Sequence, residues 1–111
     1  LAPAHVDIDI DRRHVVVKGN RIELCGKEYE LLAHLALNAD RAVTRDELFT
    51  TVWSGSGLNA QSRTVDAHIR RLRKKLDSAA DLITTIRGEG YRFNTAPGVR
   101  VNVTRVHALA A

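Results

Sequence analysis

The stretch from Arg63 to Leu76 constrains this chain more than any other. On a helix turning about 100° per residue, Val65, Ile69, Leu72 and Leu76 form one narrow apolar stripe, and Arg63, Ala67, Arg70 and Lys74 lie opposite it. Asp66 and Arg73 flank one side of that free face and Arg71 flanks the other. The segment holds six basic residues and one acid, a net +5, whereas the chain as a whole is +4, so everything outside the segment is net −1. The positive charge therefore belongs to one helix, which is the distribution of an electrostatic footprint and not of general solubility. A fold must glue one side of this helix to a core and leave the other side free. Ala67, small and central on the free face, lets such a helix sink into a groove about 12 Å wide. Cations at the rim suit phosphates and forked donors near the centre suit base edges, and Arg70 and Arg71 fit either role. The bland alternative is a solvated basic face with no partner, and its neighbours in the sequence weigh against that.

Before this helix, Val6, Ile8 and Ile10 alternate with Asp7 and Asp9, Val15 to Val17 follow, and a Gly19-Asn20 turn leads to Ile22 and Leu24, which predicts an antiparallel meander. The pattern turns helical from Lys27 to Asn38, with Tyr29, Leu32, Leu35 and Ala36 on one face and Leu31 at its edge. A second helix starts at Thr44, where Thr44-Arg45-Asp46-Glu47 has the form of a capping box, and Ala42-Val43 before it suits a very short strand. Trp53 to Asn59 is rich in Gly and Ser and reads as a loop before the third helix, about Ser62 to Leu76. Ile83 to Arg87, Gly88-Glu89-Gly90 and Tyr91 to Phe93 then read as a hairpin. Two glycines there permit positive φ and a close backbone approach to a phosphate or a groove wall, with Thr85 and Tyr91 adding hydroxyls; Tyr91 reads equally well as a core aromatic with its hydroxyl at the surface. Beyond Pro97, Val99, Val101 and Val103 alternate with polar residues, as one more strand or as a tail.

With 111 residues and 44% apolar content, this is one domain able to form its own core. The single cysteine, Cys25, excludes an internal disulfide and a multi-cysteine zinc cluster and suits a reducing compartment. The longest apolar stretch, Leu31 to Leu37, is far too short to span a bilayer. Leu1 in place of an initiator methionine, with no leader after it, reads as a piece of a longer chain.

The run from Arg63 to Leu76 followed by Ile86-Arg87-Gly88-Glu89-Gly90-Tyr91-Arg92-Phe93 resembles the effector domain of the OmpR/PhoB family of bacterial response regulators. The resemblance extends to Lys27-Glu28-Tyr29-Glu30-Leu31-Leu32, Val43-Thr44-Arg45-Asp46-Glu47-Leu48 and Val52-Trp53, covering about Val6 to Asn94 in order. It implies an α+β winged helix-turn-helix with an N-terminal four-stranded antiparallel sheet, a three-helix bundle and a C-terminal hairpin wing. The domain would occupy residues 1–96, with 97–111 as an extension of unassigned role. The resemblance also implies sequence-specific binding of double-stranded DNA, with helix 62–76 in the major groove and wing 83–93 in the minor groove. Base contacts would fall on Arg71, Asp66 and Ala67. Phosphate contacts would fall on Trp53, Arg63, Thr64, His68, Arg70, Arg73, Thr85, Gly88 and Tyr91, with Arg87 as the wing arginine. Further implied are contact with RNA polymerase through loop 53–59, a tandem dimer on DNA, an N-terminal receiver or other regulatory domain, and a cytoplasmic location. No cofactor, metal or membrane is implied. The chain departs from the family pattern at Cys25-Gly26, where members carry Ser or Thr, which weakens the expected cap of the first helix, and at Ala60-Gln61-Ser62, where members often carry acids.

Two rival classes are weaker. An enzyme could draw on Cys25 and five scattered histidines, but nothing in the spacing gathers them. His34 and the alternating Asp7, Asp9 and Asp11 fit packed or solvated positions better than metal ligands. A protein-interaction module keeping the winged-helix fold without specific DNA binding has no need of six cations on one helix, but gains if Arg70 and Arg71 pair internally with Asp66, Asp77 or Glu89. Five aromatic residues supply no stacking platform for RNA.

Overall fold

The computed structural model describes residues 5–54 and 62–103. They fall into two compact units, one of residues 24–95 and one formed by the segments on either side of it.

In the flanking unit, β1 (Val6–Asp9) pairs antiparallel with β2 (His14–Val17), and β2 with β3 (Asn20–Ile22). Alternation puts Val6, Ile8, Val15 and Val17 on one buried face. The turn between β2 and β3 sits one residue earlier than Gly19-Asn20: Lys18 and Gly19 both have positive φ, and Asn20 opens β3 opposite Val17. Two consecutive positive-φ positions make the type I′ turn of a two-residue hairpin, which fixes that register. The sheet has four strands, but the fourth does not come from the N-terminal segment. Val99–Asn102 forms β7 and lies parallel to β1, so the order is β3-β2-β1-β7 and the sheet is mixed, not wholly antiparallel. Two side chains brace the parallel pair: Asn102 donates to Asp7 Oδ1 at 2.7 Å, and Arg100 lies 3.7 Å from Asp7 Oδ2. Asp9 takes Arg12 instead. Among the described residues no group of three His, Cys, Asp or Glu is placed to hold a metal ion, and no helix is long and apolar enough to cross a membrane.

The second unit contains α1 (Gly26–Leu37), α2 (Arg45–Val52) and α3 (Ser62–Leu76), which pack against one another, and a sheet ordered β4-β6-β5. Tyr29, Leu31, Leu32, Leu35 and Ala36 of α1 are buried, as their spacing predicts. Cys25 is the N-cap of α1, and its own N–H is taken by the side chain of Glu28, which accepts it at 3.1 Å as the glutamate half of a capping box does. Glu28 is buried and also accepts from Lys75 Nζ at 2.6 Å, which joins the start of α1 to the end of α3. Burial pushes its carboxyl up, but the donors from Lys75 and Cys25 outweigh that and hold it below its ordinary value.

Thr44 caps α2 by accepting from Glu47 N at 3.0 Å. The other half of that capping box is diverted: Glu47 accepts from Nη1 and Nη2 of Arg41, at 3.1 and 2.8 Å, and lies 2.7 Å from His34 Nε2. Arg41 and then His34 lower the Glu47 carboxyl from 4.5 to about 2. Because the folded value is the lower one, this contribution to stability is present above the ordinary range and is lost as pH falls from about 4.5 towards 2. In urea titrations across that interval, Glu47→Gln is expected to start less stable at neutral pH and to converge with the parent chain near pH 2. A constant gap at every pH would mean that the Glu47 charge does not contribute.

Strand β4 is only Val43–Thr44, paired with Tyr91 and Gly90 of β6 (Gly90–Phe93), which in turn pairs with β5 (Ile83–Ile86). Gly90 is irreplaceable by the backbone geometry: its φ is +155°, and a Cβ would collide with the backbone of Val43 and Thr44. A 3-10 turn over Asp77–Leu82, entered through Asp77 at φ +51°, carries α3 into the hairpin and buries Ala79 and Leu82.

Candidate nucleic-acid interface

Helix α3 is held by the predicted stripe: Val65, Ile69, Leu72 and Leu76 are all at 0% exposure. On the other side Arg63, Arg70, Arg71 and Lys74 are exposed, and Thr64 and Ala67 are half-buried between them. Among the described residues neither Arg70 nor Arg71 forms an ion pair, and the carboxylate within their reach on the helix, Asp66, is engaged by Arg45. The pairing that favours an interaction module is thus not made within these residues.

The remaining candidates cluster in two places around α3. On one side, the Trp53 ring is 7% exposed, stacks on Phe49 at 5.4 Å, and meets the edge of His68 at 5.0 Å. Lys27 lies over the same indole at 5.7 Å and donates to the Val52 carbonyl at 2.6 Å. His68 Nδ1 donates to the Thr64 carbonyl at 2.8 Å, which leaves Nε2 as its other polar atom. Trp53 therefore faces inward and its neighbour His68 carries the polar edge. Most of loop 53–59, and Ala60-Gln61, lie outside the described residues.

On the other side, Arg73 reaches the hairpin. Its Nε and Nη2 donate to the Ile83 carbonyl at 3.2 and 3.0 Å, and Nη2 also donates to Thr85 Oγ1 at 2.8 Å. The Tyr91 ring is 4% exposed, and its hydroxyl is turned to Asp66 Oδ1, to which it donates at 2.5 Å. Burial first, and then the Asp66 carboxylate, push the Tyr91 hydroxyl above its ordinary value. Burial works to raise the Asp66 carboxyl, yet the Tyr91 and Arg45 donors leave it below its ordinary value. At the hairpin tip Arg87 and Gly88 are exposed, Gly88 has φ +77°, and Glu89 N–H closes the turn on the Ile86 carbonyl at 2.9 Å.

One residue of this site was not singled out from sequence. Arg45 donates through Nε to Asp66 Oδ1 at 2.8 Å and lies 5.2 Å from the centre of the Tyr91 ring. The available signal was a cation in the first turn of α2, between a capping Thr and two acids, where the helix dipole disfavours positive charge. An anion from elsewhere in the fold is the compensation such a placement needs.

Helix-loop-helix packing of α2 and α3, an exposed cationic face on α3 and a glycine-turned hairpin beside it define a winged helix-turn-helix. Residues 19–93 match the family described as transcriptional regulatory protein, C terminal, and the chain belongs to that family, the OmpR/PhoB type of effector domain. It is 42% identical over 89 residues to the phosphate regulon transcriptional regulatory protein PhoB of Pseudomonas aeruginosa, covering 79% of this chain and 38% of that protein. It is 40% identical over 97 residues to the transcriptional regulatory protein ResD of Bacillus subtilis, covering 84% and 40%. This chain therefore spans about two fifths of the length of these relatives. Among solved structures, the Klebsiella pneumoniae RstA DNA-binding domain in complex with the RstA box superposes with a TM-score of 0.70 at 33% identity, over 85% of this chain and 95% of that one. The DNA-binding domain of CpxR from E. coli gives 0.70 at 31% identity, over 86% and 96%.

Proposed function

We propose that this chain is the part of a bacterial transcriptional regulator that binds double-stranded DNA sequence-specifically, acting by binding alone and in the cytoplasm. The observation that carries the reading is the free face of α3, where Arg70 and Arg71 are exposed and form no ion pair with a described residue, above a fully buried apolar stripe. The likeness to a domain solved on its DNA box supports it. In this reading α3 enters the major groove, with Arg71 the base reader, Ala67 giving clearance, and Asp66 Oδ2, which takes no bond from a described residue, facing base amino groups. Arg63, Thr64, His68, Arg70 and Arg73 grip phosphates beside it, with Trp53 backing His68. Arg87 and Gly88 at the hairpin tip, with Thr85, serve the adjacent minor groove, and the Tyr91 hydroxyl stands at that boundary. Residues 1–96 make up the binding domain, and the extension from Pro97 contributes the strand beside β1. Contact with RNA polymerase through loop 53–59, a tandem dimer on neighbouring half-sites and an N-terminal receiver or other regulatory domain belong to the same proposal.

Selection of the chain against a randomised duplex library at two salt concentrations tests this. Enrichment of one motif is the expected result; no enrichment at either salt moves the interaction-module reading ahead. Arg73→Ala is expected to weaken binding and to reduce the log-log salt slope by about 1, one phosphate's worth. Weaker binding with an unchanged slope would confine Arg73 to its bonds with Ile83 and Thr85.

A further inference from the structure

We propose that Arg45, Asp66 and Tyr91 form a strut that fixes the hairpin against α3, and that Arg45 is a positioning residue and not a DNA contact. The three come from three elements, the first turn of α2, the first half of α3 and strand β6, and they meet on one atom. Asp66 Oδ1 accepts from Arg45 Nε at 2.8 Å and from the Tyr91 hydroxyl at 2.5 Å. The Tyr91 ring lies close to two guanidinium groups, 5.2 Å from Arg45 and 5.4 Å from Arg73. Arg73 holds the other strand of the hairpin through the Ile83 carbonyl and Thr85 Oγ1. Both strands are thus tied to α3, β5 through Arg73 and β6 through Asp66.

These ties matter because no backbone bond among the described residues joins the hairpin to α3. Among the described residues its backbone bonds outside itself go to the two residues of β4 and, through the Phe93 carbonyl, to the Asp40 N–H, and none of these is part of α3. Its attitude towards α3 therefore depends on side chains. Arg45 is half-buried at the first residue of α2, with its Nε committed to Asp66. A charge-assisted bond to a half-buried carboxylate ranks among the stronger ones, and it offsets the unfavourable end of the helix dipole. The strut thereby sets the distance between the α3 face that carries Arg71 and the hairpin tip that carries Arg87.

The consequence for recognition rests on the DNA-binding reading, so the test has one arm without DNA and one with it. In the first, amide hydrogen exchange over 83–93 is compared among the 111-residue chain, Asp66→Ala, Tyr91→Phe and the double variant. About tenfold faster exchange in each single variant, with no further gain in the double, is expected for one shared contact. Unchanged exchange, or accelerations that multiply, would overturn the strut. Tyr91→Phe removes a single oxygen, so it reports even if Asp66→Ala fails to fold. In the second arm, Arg45→Ala and Tyr91→Phe should each lose about tenfold in preference for the selected motif over random duplex, with the salt slope unchanged. A slope lowered by about 1 in Arg45→Ala would make it a phosphate contact and overturn the positioning role. If the parent chain binds no duplex, the DNA reading fails and the exchange arm still decides the strut.

Discussion

Changing Arg70 and Arg71 together to Ala is expected to remove motif enrichment and to cost about 2 to 4 kcal/mol on the preferred site, or roughly 30- to 1000-fold. Both guanidinium groups are exposed and neither forms an ion pair among the described residues, so the double change breaks no internal bond and should leave the unfolding midpoint nearly untouched. Affinity and stability therefore separate in this variant. Arg71→Ala alone should relax preference at particular base positions, whereas an equal loss on every sequence would assign Arg71 to phosphate. A double variant that still enriches the parent motif would take base reading away from this face of α3.

Phe93→Ala is expected to do the reverse, costing about 3 to 5 kcal/mol of stability while leaving every cation on α3 in place. Phe93 is at 0% exposure in β6, opposite Ile83, and its carbonyl accepts from the Asp40 N–H at 2.8 Å. A small domain commands only about 5 to 15 kcal/mol in total, so this one truncation removes a large part of it. Urea unfolding should show a much lower midpoint with an unchanged slope. A loss below about 1 kcal/mol would mean that the site collapses around the missing ring.

What was legible in the sequence follows from how local its cause is. Helix α3 was readable to its ends because one segment carries both the apolar stripe that anchors it and the charge that marks its free face. The hairpin was readable because Gly88 and Gly90 answer a local backbone need, and the two long motifs that carry the family resemblance supplied the order of the rest. The start of α1 shows the limit: Cys25 stands where a capping hydroxyl is expected, and the Glu28 that takes its N–H is also bound to Lys75 from the far end of α3. Arg45 was passed over as part of a capping sequence because its partners lie 21 and 46 positions away. Tyr91 was ambiguous for the same reason, since burial of its ring and the destination of its hydroxyl are both long-range facts. The 3-10 turn at Asp77–Leu82 has no period long enough to announce itself. The strand at Val99–Asn102 was one of two readings, because alternation alone does not say whether a partner edge is open.

That strand has a consequence for solubility. Parallel pairing with β7 covers the backbone donors and acceptors of β1 that would otherwise line an open sheet edge, leaving the three-residue β3 and β7 itself as the outer strands. β3 is short and carries an exposed Arg21 near a tight turn, and β7 carries an exposed Arg100, both features that discourage pairing between molecules. A chain ending at Ala96 would lose this guard and present the open backbone edge of Val6 to Asp9 as a template to any extended segment that meets it.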